Sequence, residues 1–128
     1  MNAQIRCRQR GPAPLRPFDE PQDRIRGIEA KEVEFAGYFN KTPKEVKAIL
    51  DKNGLMSPST HIGYDLLGDK FAQVIEDSKI IGHQFIVNPW IDDAIRNEPG
   101  AWGRAAQAFN RAGEQAQKAG LQFAYHNH

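Results

Sequence analysis

The sequence contains a single cysteine, Cys7, so it cannot form an internal disulfide. One cysteine also fits a reducing compartment, where disulfides are rare. No apolar stretch approaches the roughly 20 residues that a membrane-spanning helix needs. The arginines near the N-terminus are not followed by the apolar segment of a secretory signal. We therefore expect a cytoplasmic protein without disulfides or membrane spans.

The sequence also has almost no net charge. Seventeen basic and sixteen acidic residues leave a formal charge of +1 over 128 residues. This balance argues against a surface built as a whole for nucleic acid or an anionic membrane, because such surfaces carry a large positive excess. We expect neither as a partner. The length suits one domain with a modest core.

Lysine is absent before residue 27, whereas six of the nine arginines and four of the eight prolines lie there. The stretch "RCRQRGPAPLRPF" has neither a period of two nor one of 3.6, which predicts an irregular or disordered segment over residues 1–24. A basic arm for nucleic acid is one alternative. A tail outside the ancestral domain is favoured, because no aromatic residues alternate with the arginines. The domain is therefore assigned to residues 25–128.

Residues 25–128 repeat a strand-then-helix pattern. Strand-like runs are predicted to begin near four residues: Lys31, Leu55, Gln84 and Leu121. A helix-ending glycine precedes each of the last three runs: Gly54, Gly82 and Gly120. Alternating strands and helices are typical of α/β folds with a parallel sheet.

Helix signals lie between these strands. Thr42 is a suitable N-cap, Pro43 fits the first turn, and Glu45 completes a capping box. The helix before the last strand is predicted over 101–119, with an inner face of aromatic and small residues: Trp102, Ala105, Ala106, Phe109 and Ala116. A further helix over 21–30 is left open. The pattern predicts four parallel strands with three to four helices.

Ionisable residues share one face near the strand ends. Glu34, His61 and His126 alternate with bulky neighbours and lie late in their strands. Catalytic groups at the C-terminal ends of parallel strands are typical of (β/α)8 barrels, which need about 250 residues. These polar faces converge only if the strands curve around a common axis. The sequence therefore favours a partial barrel over a flat sheet.

The segments "VEFAGYF", "PSTHIG", "VNPW" and "FNRAGEQAQKAGLQFAYHNH" occur in this order, and the terminal Tyr-His-Asn-His is the most specific. Together they resemble the sugar phosphate isomerase/epimerase family, the xylose-isomerase-like TIM barrels. The resemblance implies a partial (β/α)8 TIM barrel equivalent to family strands two to five. Strand one of the family falls in the Arg/Pro-rich segment, where no strand pattern is present. Strands six to eight have no counterpart, so the sequence resembles an N-terminal half.

The resemblance implies aldose–ketose isomerisation or epimerisation in carbohydrate metabolism. In such reactions a divalent metal holds the sugar oxygens while acid–base groups move protons. Carried over to this sequence, the resemblance implies His61 and Glu34 as catalytic residues. It also implies substrate contacts from Trp90, Asn127 and His128.

The resemblance also implies a metal ligand at His126. Many relatives end strand five in Glu-Asn-His, with the Glu as ligand and base, and His126 stands at that Glu position. An imidazole suits Mn, Zn, Co or Fe better than Mg. The family ligands on strands six to eight are missing, so we expect an incomplete site. The histidine fits the branch of the family that acts on keto-inositols and keto sugars.

Each candidate residue has a structural alternative. His61 is as readily a hydrogen-bonded core histidine, and Glu34 is more typical of an interior salt bridge. Trp90 either stacks on a sugar or caps the core. Without the resemblance, His126 and His128 are two polar residues near the end of the sequence.

Two other functions remain as alternatives. The first is a catalytically inactive fragment or interaction piece. The second, more distant, is a metal-dependent phosphodiesterase like the apurinic endonucleases, which needs a basic groove that is not seen after residue 30. For the isomerase we expect a sugar or sugar phosphate as ligand. We also expect no turnover unless a second copy or a C-terminal half completes the barrel.

Overall fold

The computed structural model describes residues 4–6, as backbone, and residues 30–127. The predicted helix over 21–30 lies almost entirely outside this part, as does His128. The described residues form one sheet whose strands follow one another in chain order. The strands are β1 Gln4–Arg6, β2 Glu32–Phe35, β3 Met56–His61, β4 Phe85–Asn88 and β5 Gln122–Tyr125.

Helices connect the strands from β2 onward. They are α1 Pro43–Lys52, α2 Phe71–Ile81, α3 Asp93–Arg96 and α4 Ala101–Lys118, with a 3-10 turn at Tyr64–Leu66. In the described part of the chain, no helix combines the length and apolar character needed to cross a membrane.

The four predicted strands are parallel, which confirms the predicted α/β class. Pairing of β2 with β3, β3 with β4 and β4 with β5 is parallel throughout. Each strand begins one residue after its predicted start. The short strand β1 pairs antiparallel with β2 and was not indicated by the sequence pattern. It therefore differs from the parallel first strand of a barrel, and the domain boundary near residue 25 stays a prediction.

The helix ends follow their local sequence signals. The Thr42 side chain accepts a hydrogen bond from the Glu45 backbone, and the Glu45 carboxylate accepts one from the Thr42 backbone. This is the predicted capping box. Gly82 ends α2 at φ 97°, a left-handed conformation that glycine adopts without the steric cost of a Cβ.

The core lies between the sheet and the helices on one of its faces. Paired positions across β2 to β5 point toward the helices: Phe35, Thr60, Ile86 and Phe123. Ile86 packs in a cluster with α2 and α4, whereas Phe35 packs against α1. Alternation along each strand therefore turns the neighbouring side chains toward the opposite face. We call it the helix-free face, because the described helices α1, α2 and α4 pack on the other one.

Helix α4 contacts the core through alanines, with a face shifted from the predicted one. Its buried residues are Ala101, Ala105, Ala108, Ala112 and Ala116. Trp102 and Ala106 were predicted on the inner face, but both are exposed, and Trp102 keeps 55% of its surface in solvent. The small buried side chains let the helix backbone lie close to the sheet. The spacing of residues around the helix axis places the alanines against the sheet. Trp102 was predicted there because it is apolar, but it lies on the other side of the helix.

Candidate active site at the strand ends

Glu34 and His61 meet on the helix-free face of the sheet. Glu34 lies in β2 and His61 ends the neighbouring strand β3. Glu34 Oε1 lies 3.0 Å from His61 Nε2, and the two side chains are only 15% and 14% exposed. The Ser59 hydroxyl donates a hydrogen bond to the other Glu34 oxygen, Oε2. The Glu34 carboxylate therefore holds the His61 imidazole in one orientation through its Nε2 atom.

His126 approaches the same pair from the β5 edge of the sheet. It follows β5, and its imidazole centroid lies 5.2 Å from that of His61. The His126 side chain is exposed, as is Asn127 beside it. Side chains from three separate strand ends thus converge on one face. The predicted contact from His128 lies outside the described residues.

Asn88 connects these strand ends and was not predicted from the sequence as a site residue. It ends β4 and is fully buried. Its Nδ2 donates a hydrogen bond of 3.0 Å to the Ile62 carbonyl, just after β3. Its backbone carbonyl accepts a hydrogen bond from the His126 N–H at 3.3 Å. The position of His126 relative to His61 therefore depends on Asn88.

A cleft of about 350 Å³ opens beside His61 at the same end of the sheet. Its walls come from the loops after β2, β3 and β4, and they include Tyr64, Asp65, Trp90 and Asp92. Trp90 is 41% exposed, and the Arg96 guanidinium carbon lies 4.9 Å from its ring centroid. The cleft thus combines an imidazole, an aromatic surface and carboxylates.

The described residues do not form a metal centre by themselves. Within 30–127, no group of three or more His, Cys, Asp or Glu side chains has the arrangement needed to hold an ion. Glu34 and His61 contact each other, and the ring centroid of His126 lies 5.2 Å from that of His61. A ligand set made of these side chains alone is therefore not present, and the metal stays a prediction.

His83 lies elsewhere, buried on the helix side of the sheet. It is 3% exposed, and its Nδ1 lies 2.7 Å from the Ser57 carbonyl. A carbonyl only accepts, so Nδ1 carries the proton and Nε2 accepts the Tyr38 hydroxyl at 3.1 Å. Burial lowers the pKa of His83, while the hydrogen bond to Ser57 acts in the opposite direction. His83 is thus part of the packing.

The fold and the position of these polar side chains define one class of structure. It is part of a parallel β/α barrel with polar groups at the C-terminal ends of its strands. A crystal structure of a sugar phosphate isomerase/epimerase from Parabacteroides distasonis ATCC 8503 is similar to this chain, with a TM-score of 0.62 and 22% sequence identity. The match covers 77% of this chain and 41% of that chain. The partial TIM barrel that the sequence predicted is therefore confirmed, and the chain spans about two fifths of the length of that structure.

No protein-family model matches the sequence, and no curated protein matches it. The structural similarity supports the fold.

The structure brings together most of the residues predicted from the sequence. Glu34, His61 and His126 converge, and Trp90 shares the cleft with His61. Asn127 is exposed beside this group without a described contact to it. Four further residues near the site were not identified: Tyr64, Asp65, Asn88 and Asp92. A polar residue ending a strand, as in "VNPW", was the available signal for Asn88.

Proposed function

We propose that the chain carries part of a sugar isomerase or epimerase site, acting on a keto or aldo sugar or a related polyol. The observation that carries the proposal is the convergence of Glu34, His61 and His126 from three strand ends beside one cleft. The fold similarity to a sugar phosphate isomerase/epimerase supports the same class. As in that class, the work of the site would be proton transfer at a carbon next to a carbonyl.

His61 is the proton carrier in this proposal. An imidazole changes its charge near neutral pH, which suits a group that takes and returns a proton. Glu34 holds His61 through the 3.0 Å contact and stabilises the imidazolium that forms when His61 takes the proton. Ser59 in turn fixes Glu34. Glu34 therefore acts both as the interior partner that the sequence favoured and as part of the acid–base pair.

The proposal includes a divalent metal ion, although the described residues alone do not supply a complete set of ligands for it. When bound, a divalent ion such as Mn would supply charge stabilisation for the sugar oxygens. His126 offers an imidazole nitrogen for it, and further ligands have to come from outside residues 30–127. A second copy of the chain or a C-terminal half of the barrel is the proposed source. The proposed location is the cytoplasm.

The experiment is proton exchange on a ketose in deuterated water, followed by ¹H NMR in the presence of Mn²⁺. The purified chain is first separated by gel filtration into monomer and larger assemblies. We expect exchange only in the assembled fractions, with a loss of at least about 100-fold in His61→Gln, the range that general acid–base catalysis contributes.

The matched control is Glu114→Gln, which removes an exposed carboxylate on α4 outside this cleft. It is expected to leave exchange unchanged. Exchange that survives His61→Gln, or no exchange in any fraction, would contradict the proposal.

A further inference from the structure

Strand β2 is the first of the four parallel strands, and both of its edges are paired. On one side it pairs parallel with β3, and on the other side β1 pairs antiparallel with it. The register of the antiparallel pair is Gln4 with Glu34, Ile5 with Val33 and Arg6 with Glu32. A strand has only two hydrogen-bonding edges, so no further strand can pair with β2 while β1 lies there.

The antiparallel direction of β1 excludes it from a (β/α)8 barrel. All eight strands of such a barrel are parallel, and each has a parallel neighbour on both sides. Strands β3 and β4 already meet this condition. Strand β2 does not, because β1 lies where its second parallel neighbour would lie. Closure of a barrel through β2 therefore requires that β1 leave this edge.

Strand β1 is short, which makes its release feasible. It pairs with β2 through three residue pairs, whereas β4 and β5 pair through four. Each lost backbone hydrogen bond costs little, because the released groups bond to water instead. Residues 7–31 nevertheless connect β1 to β2, so its effective concentration at that edge is on the order of 1 mM. At micromolar protein concentration, β1 therefore competes well against a strand from another molecule.

The β2 edge is thus an interaction surface that the chain itself covers. Uncovered sheet edges tend to pair with other chains, and proteins commonly protect them. We propose that β1 is a displaceable cap on the β2 edge, and that the strand it excludes is β5 of a second copy of this chain. The inference rests on the proposed function, since it concerns how a second copy completes the same site.

The number of strands favours a second copy as the partner. Each copy supplies four parallel strands, and a barrel has eight. Two copies related by a twofold axis along the barrel would therefore close it, with β5 of each beside β2 of the other.

The character of β5 favours it as the strand that pairs. Its sequence, Gln122–Tyr125, contains no charged residue and no proline, which are the residues that commonly keep a sheet edge from pairing. Phe109, Phe123 and Tyr125 also line a cleft of about 450 Å³ beside this strand. Covering aromatic side chains removes apolar surface from water, so pairing at β5 gains more than backbone hydrogen bonds.

The first test weakens the pairing of β1 with proline. Gln4→Pro combined with Ile5→Pro removes an N–H that faces β2 whichever residue supplies it, because successive residues of a strand face opposite edges. Gln4→Ala combined with Ile5→Val is the matched control, since it keeps both N–H groups. Sedimentation velocity of the full chain over a range of concentrations gives the dimer Kd. We expect the proline variant to dimerise at least about tenfold more tightly than the wild type, and the control to keep the wild-type Kd.

The second test locks β1 in place with a disulfide. Ile5→Cys and Val33→Cys, in a Cys7→Ser background, put two cysteines at directly opposite positions. The Cα atoms of opposite residues in antiparallel strands are about 4.5–5.5 Å apart, which a disulfide can span. We expect the disulfide-closed form to stay monomeric and its reduction to restore the wild-type Kd. The reduced protein is the matched control, because the two forms differ only in the S–S bond.

Hydrogen exchange identifies the strands that pair in the dimer. We expect the amides of residues 32–35 to exchange faster in the monomeric proline variant than in the wild type. In the dimer, residues 32–35 are expected to regain protection and residues 122–125 to gain it.

Three results would overturn the inference: a proline variant that dimerises no more tightly than the wild type, a disulfide-closed form that dimerises like its reduced form, or a dimer without added protection in β2 and β5. If the proline variant does not fold, the disulfide-closed form still decides. Ketose exchange in dimers of the disulfide-closed form would overturn the inference alone. Dimers that form as expected but catalyse no exchange would overturn the proposed function alone.

Discussion

Glu34 Oε1 lies 3.0 Å from His61 Nε2 across the β2–β3 pair, and both side chains are largely withdrawn from solvent. Charge-assisted hydrogen bonds of this kind are stronger than those between exposed charges. We expect a double-mutant cycle with Glu34→Gln and His61→Gln, measured by urea unfolding at pH 6, to give a coupling energy of about 1–2 kcal/mol.

The control for this cycle is the exposed pair Glu76–Lys79, whose atoms are 3.5 Å apart on α2. Its coupling is expected to be no more than about 0.5 kcal/mol. Equal couplings for the two pairs would show that Glu34 does not hold His61.

Acid is expected to destabilise the fold through His83. Burial lowers the pKa of His83 from its ordinary value of 6.5, so the unfolded chain binds a proton that the folded chain resists. The free energy of unfolding is therefore highest above pH 6.5 and falls as the pH drops toward the lowered pKa, by up to about 1.4 kcal/mol per pH unit. Urea unfolding at pH 5 and pH 7 measures this difference.

His83→Gln is expected to lose that part of the pH dependence, whereas Tyr38→Phe is expected to keep it. Tyr38→Phe removes the hydroxyl that donates to Nε2 but leaves the imidazole in place. A pH dependence that is the same in His83→Gln and in the wild type would refute the assignment to His83.

The alanine face of α4 is expected to tolerate no larger side chain. Ala112 is 1% exposed and packs in the cluster around Ile86. Ala112→Leu adds three carbons to a filled space and is expected to cost about 1–3 kcal/mol of unfolding free energy. Ala106→Leu, on the exposed side of the same helix, is expected to change it by no more than about 0.5 kcal/mol. Thermal or urea unfolding of the pair checks this, and a reversed order would place the wrong face against the sheet.

Asn88 is expected to matter for stability and for the site together. Asn88→Leu retains the side-chain volume but loses the hydrogen bond to the Ile62 carbonyl, at a cost of about 1–3 kcal/mol. Losing the side-chain bond also frees the end of β4 from Ile62, and the Asn88 backbone carbonyl at that end accepts from the His126 N–H. We therefore expect a weaker nuclear Overhauser effect between the His61 and His126 rings in the folded variant. An unchanged effect would mean that β5 positions His126 without Asn88.

Much of the fold could be predicted from local sequence signals. The capping box at Thr42 and the glycines after α1, α2 and α4 fix where helices end, and alternation then places each following strand to within one residue. Such signals involve only a few neighbouring residues, so they can be recognised without knowledge of the tertiary structure. Strand β1 has no such signal, because no helix-ending glycine precedes Gln4 and its three residues are too few to show an alternating pattern.

Only part of the candidate site could be predicted from the sequence, because part of it depends on contacts between distant residues. Alternation placed Glu34, His61 and His126 on one face, which the structure bears out. The hydrogen bond from Asn88 to the Ile62 carbonyl depends on how the ends of β3 and β4 meet, and no periodicity in the sequence records that. The exposure of Trp102 was mispredicted because hydrophobicity outweighed helical phase.

The central claim is that one sugar site lies where β2, β3 and β5 end. The most direct measurement is ¹H–¹⁵N NMR of the histidine rings and the Trp90 indole during titration with an unphosphorylated ketose. We predict saturable shifts at His61, His126 and Trp90, with His83 unchanged because it is buried on the helix side. Shifts at His83 alone, or none at His61 and Trp90 at saturating ketose, would contradict the account.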